Sequence, residues 1–263
     1  MRLLFFRKDN KRIIKLSAML SKSSTKYIQS LHHKKYRDAG NTFIAEGSKV
    51  VLELLQSGHI ACNEIFGMEE WLHQHEPLIR KHFSGPLHSV TDFELEKISL
   101  LSTPNQVLAV FSKPAPAIFS PVAKITLALD QVQDPGNLGT IIRIADWFGI
   151  EGIVCSLHCA DMYNPKVVQG TMGSLGRVKI LYCNLPDWLQ QYRNIPIYAT
   201  ALNGKNVQNI KGIKEGILII GNESKGISEE VMQLATQKIT IPKTGAAESL
   251  NAAVAAGIIL SHL

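Results

Sequence analysis

Up to about Lys113 the apolar positions alternate between a spacing of three to four and a spacing of two. "TKYIQSLHHKKYRDAG" keeps the helical spacing to Gly40, "TFIAEG" reads as a short strand, and "SKVVLELLQSG" is an amphipathic helix closed by Gly58. The strand-like "EIFG" and "LHSV" flank the helix "MEEWLHQHEPLIRKHF". "TDFELEKISLL" is a further helix with Thr91 as its N-cap, and "QVLAVFS" a final strand. This alternation predicts a compact α/β layer structure. "KPAPAIFSP" then places three prolines in nine residues and reads as a linker.

From near Val122 the pattern changes. "ITLALD", "GIVCS", "KILYC", "PIYATAL", "GILIIGN" and "KITIP" are apolar runs uninterrupted by polar residues, as in a parallel sheet covered on both faces. Helical segments lie between them: one after Asn137, then "NPKVVQGTM", "DWLQQYR", "SEEVMQLA" and the terminal "ESLNAAVAAGIILSHL". Ligands of such sheets gather where strands end and helices begin. The chain shows no internal repeat and no low-complexity tract.

Composition narrows the function classes. A chain of 263 residues, 45% hydrophobic, is long enough for one large or two modest domains. It contains no apolar run of the roughly 18 residues that a membrane helix needs. "MRLLFFRKDNKRIIKL" lacks a long apolar core and a small-residue cleavage site, so no secretory signal is expected. A cytoplasmic location follows as the expectation. Cys62, Cys155, Cys159 and Cys183 are scattered; "CSLHC", with His158, is half a metal site with no second pair, so no metal is expected. The net charge of +6 is uneven. Up to Arg37 the basic residues, among them Lys22, Lys26, Lys34, Lys35 and Arg37, face only Asp9. Such a cluster attracts a polyphosphate, although a solvated surface has the same composition.

Three junctions are unusually polar and glycine-rich. In "DPGNLGTIIRIADWFG", Asn137 is placed to cap the following helix and Gly139 admits a close neighbour. Ile141, Ile142, Ala145 and Phe148 form its buried stripe, and Arg143 points off it; taken alone, Arg143 reads equally as a surface arginine. "IIGNESKGIS" brackets Asn222, Glu223, Ser224 and Lys225 with two glycines after an apolar strand, yet matches neither GxxxxGK[ST] nor GxGxxG. "IPKTGAAESLNAAVAAGIIL" puts Glu248, Ser249 and Asn251 at the start of an alanine-rich helix. Simple capping explains the first two, but not Asn251, a poor helix former, inside that turn.

In this order and spacing the three segments resemble the three motifs of SpoU-type (TrmH-like) RNA ribose 2′-O-methyltransferases of the SPOUT class. The resemblance covers Ile125 to the last residue. "TFIAEGSKVVLELLQSG" and "TPNQVLAVF" are similar to that family's substrate-binding domain. It implies an α/β fold with a mostly parallel, deeply knotted C-terminal domain at 123–263. Ahead of it would lie a smaller ribosomal-protein-like α/β domain at 19–113 that holds RNA, a linker at 114–122, and a basic tail or upstream-start extension at 1–18. It also implies a homodimer with the active site near the dimer interface. S-adenosylmethionine is the implied cofactor: Gly221, Ile241 and Leu250 match positions that bind it, and Thr200, Ala201 and Gly226 complete that pocket. Asn137, Arg143, Glu223, Ser249 and Asn251 match the family's functional polar set. Departures are Ala252-Ala253, where the family often has Val-Ser, and Ser224, where it often has Gly.

Under that resemblance the expected substrate is structured RNA, ribosomal RNA ahead of transfer RNA, because only RNA carries the 2′-hydroxyl. Lys22, Lys26, Lys34, Lys35 and Arg37 would hold it. Arginine stays protonated in proteins, so Arg143 is expected to grip a phosphate and the 2′-oxygen rather than act as base. Ser249 and Asn251 would orient the ribose, and Glu223 would fix Arg143 or a neighbouring loop. The alternative function is a non-catalytic RNA-binding or ribosome-assembly factor on the same scaffold. A methyltransferase of bases and a dinucleotide-dependent enzyme fit less well.

Overall fold

The structure, a computed structural model, describes residues 20–210 and 212–263; the basic stretch 1–18 lies outside them. The first sheet has four strands, β1 (Thr42–Glu46), β2 (Cys62–Gly67), β3 (Leu87–Ser89) and β4 (Val107–Ser112). Their order is β1-β4-β2-β3, with β4 antiparallel to both neighbours and β2 parallel to β3. Both faces are covered, so successive residues of β1 serve two cores. Ile44, Phe66, Leu108 and Val110 face Ile28 and Leu31 of α1 (Lys22–Ser30) and its end, and Leu95 and Ile98 of α5 (Asp92–Ile98). Phe43, Ala45, Ile65 and Ala109 face α3 (Ser48–Ser57) and α4 (Glu69–His82), and this core runs on into the second half of the chain. The expected punctuation holds locally. Gly58 ends α3 with φ 69°, and Thr91 and Glu94 form a reciprocal capping box on α5.

One expected helix is two. The segment to Gly40 breaks after Leu31 and resumes as α2 (Lys34–Gly40). The freed carbonyls of Leu31 and His32 each accept a hydrogen bond from Arg37 Nη1, at 3.0 and 2.9 Å. A side chain from the next helix therefore satisfies the end that the break exposes.

The second sheet has six strands in the order β10-β8-β9-β5-β6-β7, and every neighbouring pair is parallel. The strands are β5 (Ile125–Leu129), β6 (Gly152–Ser156), β7 (Lys179–Cys183), β8 (Ile197–Asn206), β9 (Gly216–Ile220) and β10 (Gln237–Thr240). One face carries α6 (Pro135–Trp147), α7 (Pro165–Thr171) and α10 (Ala252–Leu260); the other carries α8 (Leu185–Gln191) and α9 (Glu229–Met232). Gly139 seats α6 on α7: a Cβ there would lie 2.8 Å from the Val167 carbonyl oxygen and 3.0 Å from Gly170 Cα. Ile141, Ile142 and Ala145 are buried as expected, but Phe148 is 39% exposed and Leu138 fills the stripe instead. The reason is local: α6 ends at Trp147 and the chain turns at Gly149, φ 70°, which carries Phe148 off the helical face. Residues 113–121 form neither helix nor strand. Among the described residues no helix is long and apolar enough to cross a membrane.

Candidate active site

The strand order places β5 at the centre, with β6 on one side and β9 on the other, so consecutive connections diverge from its carboxyl end. Crevices of parallel sheets open at such a point. The loop leaving β5 is held from three sides. Asp130, 3% exposed, accepts the Ser228 N–H at 2.7 Å. Gln131 takes the left-handed conformation, φ 57°, and its N–H donates to Ser156 Oγ at 2.9 Å. The Gln131 carbonyl accepts Asn222 Nδ2 at 2.8 Å. Asn222 also folds its own loop, accepting the N–H groups of Ser224 and Lys225 and pairing with Gly226 in both directions. Asn222 is a residue that sequence reasoning missed as an organiser. Its signal is the Asx-turn chemistry of an asparagine one residue after the strand's glycine.

Three of the five expected polar residues meet. Asn137 Nδ2 donates to Glu223 Oε1 at 2.5 Å, and Asn251 Nδ2 donates to Asn137 Oδ1 at 2.7 Å. The direction of this relay is dictated by the groups at its ends. A carboxylate only accepts, so the amide nitrogen of Asn137 must face Glu223 and its oxygen must face Asn251. Asn251 Oδ1 in turn accepts the N–H groups of Ala253 and Val254, at 3.0 and 3.2 Å. The three glycine-rich junctions are thus braced to one another by side-chain amides.

Three expectations are corrected here and one is narrowed. Asn137 is not the cap of α6: Asp134 holds that position and accepts the Asn137 N–H at 2.8 Å. This leaves the Asn137 side chain free for the relay. Asn251 is not inside a helical turn but is the N-cap of α10, which begins at Ala252 rather than at Glu248. Capping by its oxygen is therefore what places an asparagine there, and its amide nitrogen makes the brace. Of the two partners expected for Glu223, Arg143 or a neighbouring loop, the chain shows the second, since Glu223 accepts from Asn137 in the neighbouring junction. Finally, Arg37 is 2% exposed and its Nη2 pairs with Asp161 at 2.7 Å, so it offers no charge to RNA at the surface.

Arg143 and Ser249 stand apart from the relay. Arg143 is exposed on α6, six residues beyond Asn137, which on a helix is about 9 Å along the axis and some 120° around it. Ser249 is exposed on the irregular segment between β10 and α10. Among the described residues neither side chain has a hydrogen-bond partner in the same chain. Of the other RNA-facing candidates, Lys22, Lys26, Lys34 and Lys35 are exposed, and Lys34 pairs with Asp38 at 2.8 Å. Hydrogen bonds from Lys113 and Lys34 hold the Asp38 carboxyl at about 2.

The remaining candidates lie at the carboxyl ends of three adjacent strands. Gly221 follows β9, Ile241 follows β10, and Thr200 and Ala201 belong to β8. The β8–β10 ladder jumps from Lys238 opposite Ala199 to Ile239 opposite Lys205, so residues 200–204 are extruded from the register. A Cβ on Gly221 would lie 2.4 Å from the Gly226 carbonyl carbon, and Gly226 has φ 71°. Both glycines are required by the loop's own path. Leu250 and Leu202, 47% and 79% exposed, add apolar surface on the segments beside this edge. Thr200 and Ala201 are half-buried, so small side chains and uncovered aliphatic groups border this edge of the sheet. The cysteines are unpaired, and burial pushes the Cys62 thiol up to about 12, which leaves it inert.

Residues 124–261 match the SpoU rRNA Methylase family, and residues 22–109 match the MRM3-like substrate binding domain. The 23S rRNA (guanosine(2553)-2′-O)-methyltransferase RlmP of Bacillus subtilis is 33% identical over 240 residues, 89% of this chain and 93% of its own. Two solved structures agree along nearly the whole length. A putative RNA methyltransferase of the TrmH family from Porphyromonas gingivalis superposes with a TM-score of 0.83 at 36% identity, covering 93% of this chain and 98% of that one. The AdoMet-bound rRNA methyltransferase from Sinorhizobium meliloti gives 0.82 at 31% identity, covering 94% and 95%. The fold and site define a SPOUT-type α/β protein. The chain belongs to the SpoU rRNA methylase family.

Proposed function

We propose that this chain transfers a methyl group from S-adenosylmethionine to a ribose 2′-hydroxyl of ribosomal RNA, with transfer RNA the second choice of substrate. The observation that carries this reading is the Asn251–Asn137–Glu223 relay, which ties the three family motifs into one site beside the strand ends that suit the cofactor. Family membership and the substrates printed for the relatives support it. Gly221, Ile241, Leu250, Thr200, Ala201 and Gly226 would hold the cofactor, largely through backbone groups. When bound, S-adenosylmethionine supplies an electrophilic methyl group on its sulfonium. What the chain must add is alignment of a weak nucleophile and relief of charge developing on its oxygen.

Arg143 is suited to that task because its guanidinium is exposed and, among the described residues, unpaired in its own chain. It would grip the phosphate and the 2′-oxygen of the target nucleotide, leaving water or a phosphate oxygen to take the proton. Ser249 and Asn251, at the start of α10, would orient the ribose in the positive field of the helix N-terminus. Glu223 would hold Asn137 and not act as base.

Arg143 reaches this site, in the same reading, from the partner subunit of a homodimer. Trp147 near the end of α6 is 84% exposed and Val254 on α10 is 50% exposed, apolar surface on two contiguous helices that a second copy would cover. A knotted passage of the second half and a cytoplasmic location belong to the same proposal. The experiment is ribose-methylation mapping of total RNA from cells with and without the gene. Loss of one 2′-O-methyl mark in 23S rRNA is expected; an unchanged map would favour a non-catalytic RNA-binding factor.

A further inference from the structure

The four-stranded unit is attached to the methylase unit by charged contacts that the proposed chemistry does not use. Arg37 of α2 is buried, its Nη2 donates to Asp161 Oδ2 at 2.7 Å, and its Nε has no partner among the described residues. Asp161 lies on the loop that follows β6 and also accepts the Tyr163 N–H at 3.0 Å. One residue earlier, the Ala160 N–H donates to the Val132 carbonyl at 2.9 Å, and Val132 sits in the loop that opens α6. At the other end of α6, Asp146 accepts Arg177 Nε at 2.9 Å and Ser174 Oγ at 2.7 Å. Arg177 Nη1 then reaches Glu53 of α3 at 2.7 Å. A close-fitting seat accompanies this second contact. A Cβ on Gly173 would lie 2.3 Å from Glu53 Cβ, and one on Gly176 would lie 2.7 Å from Ser57 Cβ.

Adhesion alone does not require these charges. Phe43 already packs on Tyr163 across the same boundary, ring centroids 4.8 Å apart. A buried ion pair is a poor stabiliser against apolar side chains of similar size, and a half-exposed one contributes little. Their distinguishing property is direction, since a guanidinium fork accepts one geometry. One contact ends on Asp146 in the last turn of α6; the other ends on Asp161, whose loop is bonded through Ala160 to Val132 in the loop that leads into α6, the helix that carries Asn137 and Arg143. We infer that Arg37 and Arg177 are positioning residues that clamp α6 in register with the RNA-bearing unit, so that lysines of α1 and α2 set where the target ribose falls. This rests on the function proposed above.

The test uses the full chain and three variants: Arg177→Gln, Arg177→Lys, and the double variant Arg37→Met/Asp161→Leu, which removes both charges together and also leaves the Leu31 and His32 carbonyls and the Tyr163 N–H without those partners, so its folding is verified first. Methyl transfer from labelled S-adenosylmethionine to an unmodified 23S rRNA transcript gives kcat and KM; calorimetry gives cofactor affinity; hydrogen exchange reports α6. For Arg177→Gln and the double variant the expected result is a kcat at least tenfold lower, with transcript KM and cofactor affinity within threefold. Amide exchange should quicken in α6 but not in β5 or β9. Arg177→Lys should recover part of the loss. Folded variants with wild-type kcat would overturn the clamp, as would parallel loss of kcat and cofactor binding. If the wild-type chain methylates no RNA, the functional reading fails instead. The exchange arm still decides the clamp: unaltered α6 protection in the variants overturns it, and selective loss there sustains it.

Discussion

Asn251 and Asn137, 114 residues apart in sequence, share a hydrogen bond of 2.7 Å in which Asn251 is the donor. The same Asn251 caps α10 with its oxygen. The two duties separate in Asn251→Asp, which keeps the accepting oxygens and loses the donor. This variant is expected to fold with a melting temperature near wild type and to lose at least tenfold in methyl transfer. Asn251→Ala should in addition lose about 1 kcal/mol of stability with the cap. Thermal unfolding alongside a transfer assay checks both; an active Asn251→Asp would remove the relay from the site.

Arg143 has no partner among the described residues of its own chain, so replacing it should cost the fold nothing beyond the roughly 0.5 kcal/mol usual for surface positions. Arg143→Lys keeps the charge but not the planar fork, and transfer should fall well below wild type with cofactor affinity unchanged. If the arginine acts across a dimer, mixing inactive Arg143→Ala subunits with inactive Asn251→Asp subunits restores activity, toward one intact site per mixed dimer. Absence of restoration in verified mixed dimers would place Arg143 in its own subunit's site.

Gly139→Ala adds a methyl group where the Val167 carbonyl oxygen stands 2.8 Å away. Backbone cannot yield as a side chain does, so a loss of about 1–3 kcal/mol is expected. Denaturant unfolding measures it, and a neutral result would mean that α6 and α7 part freely.

Glu46 supplies the pH dependence. Burial raises its carboxyl above the ordinary 4.5, while hydrogen bonds from Ser99 and the Leu100 N–H pull the other way. A raised folded value means stability that is present below 4.5 and lost as pH rises through the raised one. Glu46→Gln cannot ionise. Its stability relative to wild type should therefore climb between pH 4 and neutrality and then level off. Urea midpoints across that range test this, and a pH-independent gap would contradict it.

Much of the architecture was legible because it is local. Strand runs such as "GILIIGN" and "GIVCS", the αL glycine at Gly58 and the Thr91 cap each follow from a few neighbouring residues. What was illegible depends on distant partners. The α1–α2 break is stabilised by Arg37, whose burial depends on Asp161, 124 residues away. A basic residue in a basic helix gives no sign of a remote carboxylate, and so Arg37 read as an RNA contact. Asp134 outcompetes Asn137 for the α6 cap because Pro135 occupies the first helical position, a preference visible in the sequence. That Asn137 thereby becomes available to Glu223 and Asn251 appears only when the segments that follow β5, β9 and β10 are brought together.

The central claim is tested most directly with purified protein, S-adenosylmethionine labelled in its methyl group and unmodified 23S rRNA transcript, followed by nuclease digestion and mass spectrometry of the nucleosides. The account predicts label in a single 2′-O-methyl nucleoside, absent with Arg143→Ala and with Asn251→Asp. Label on a base, or no transfer by a protein that binds both cofactor and RNA, would contradict it.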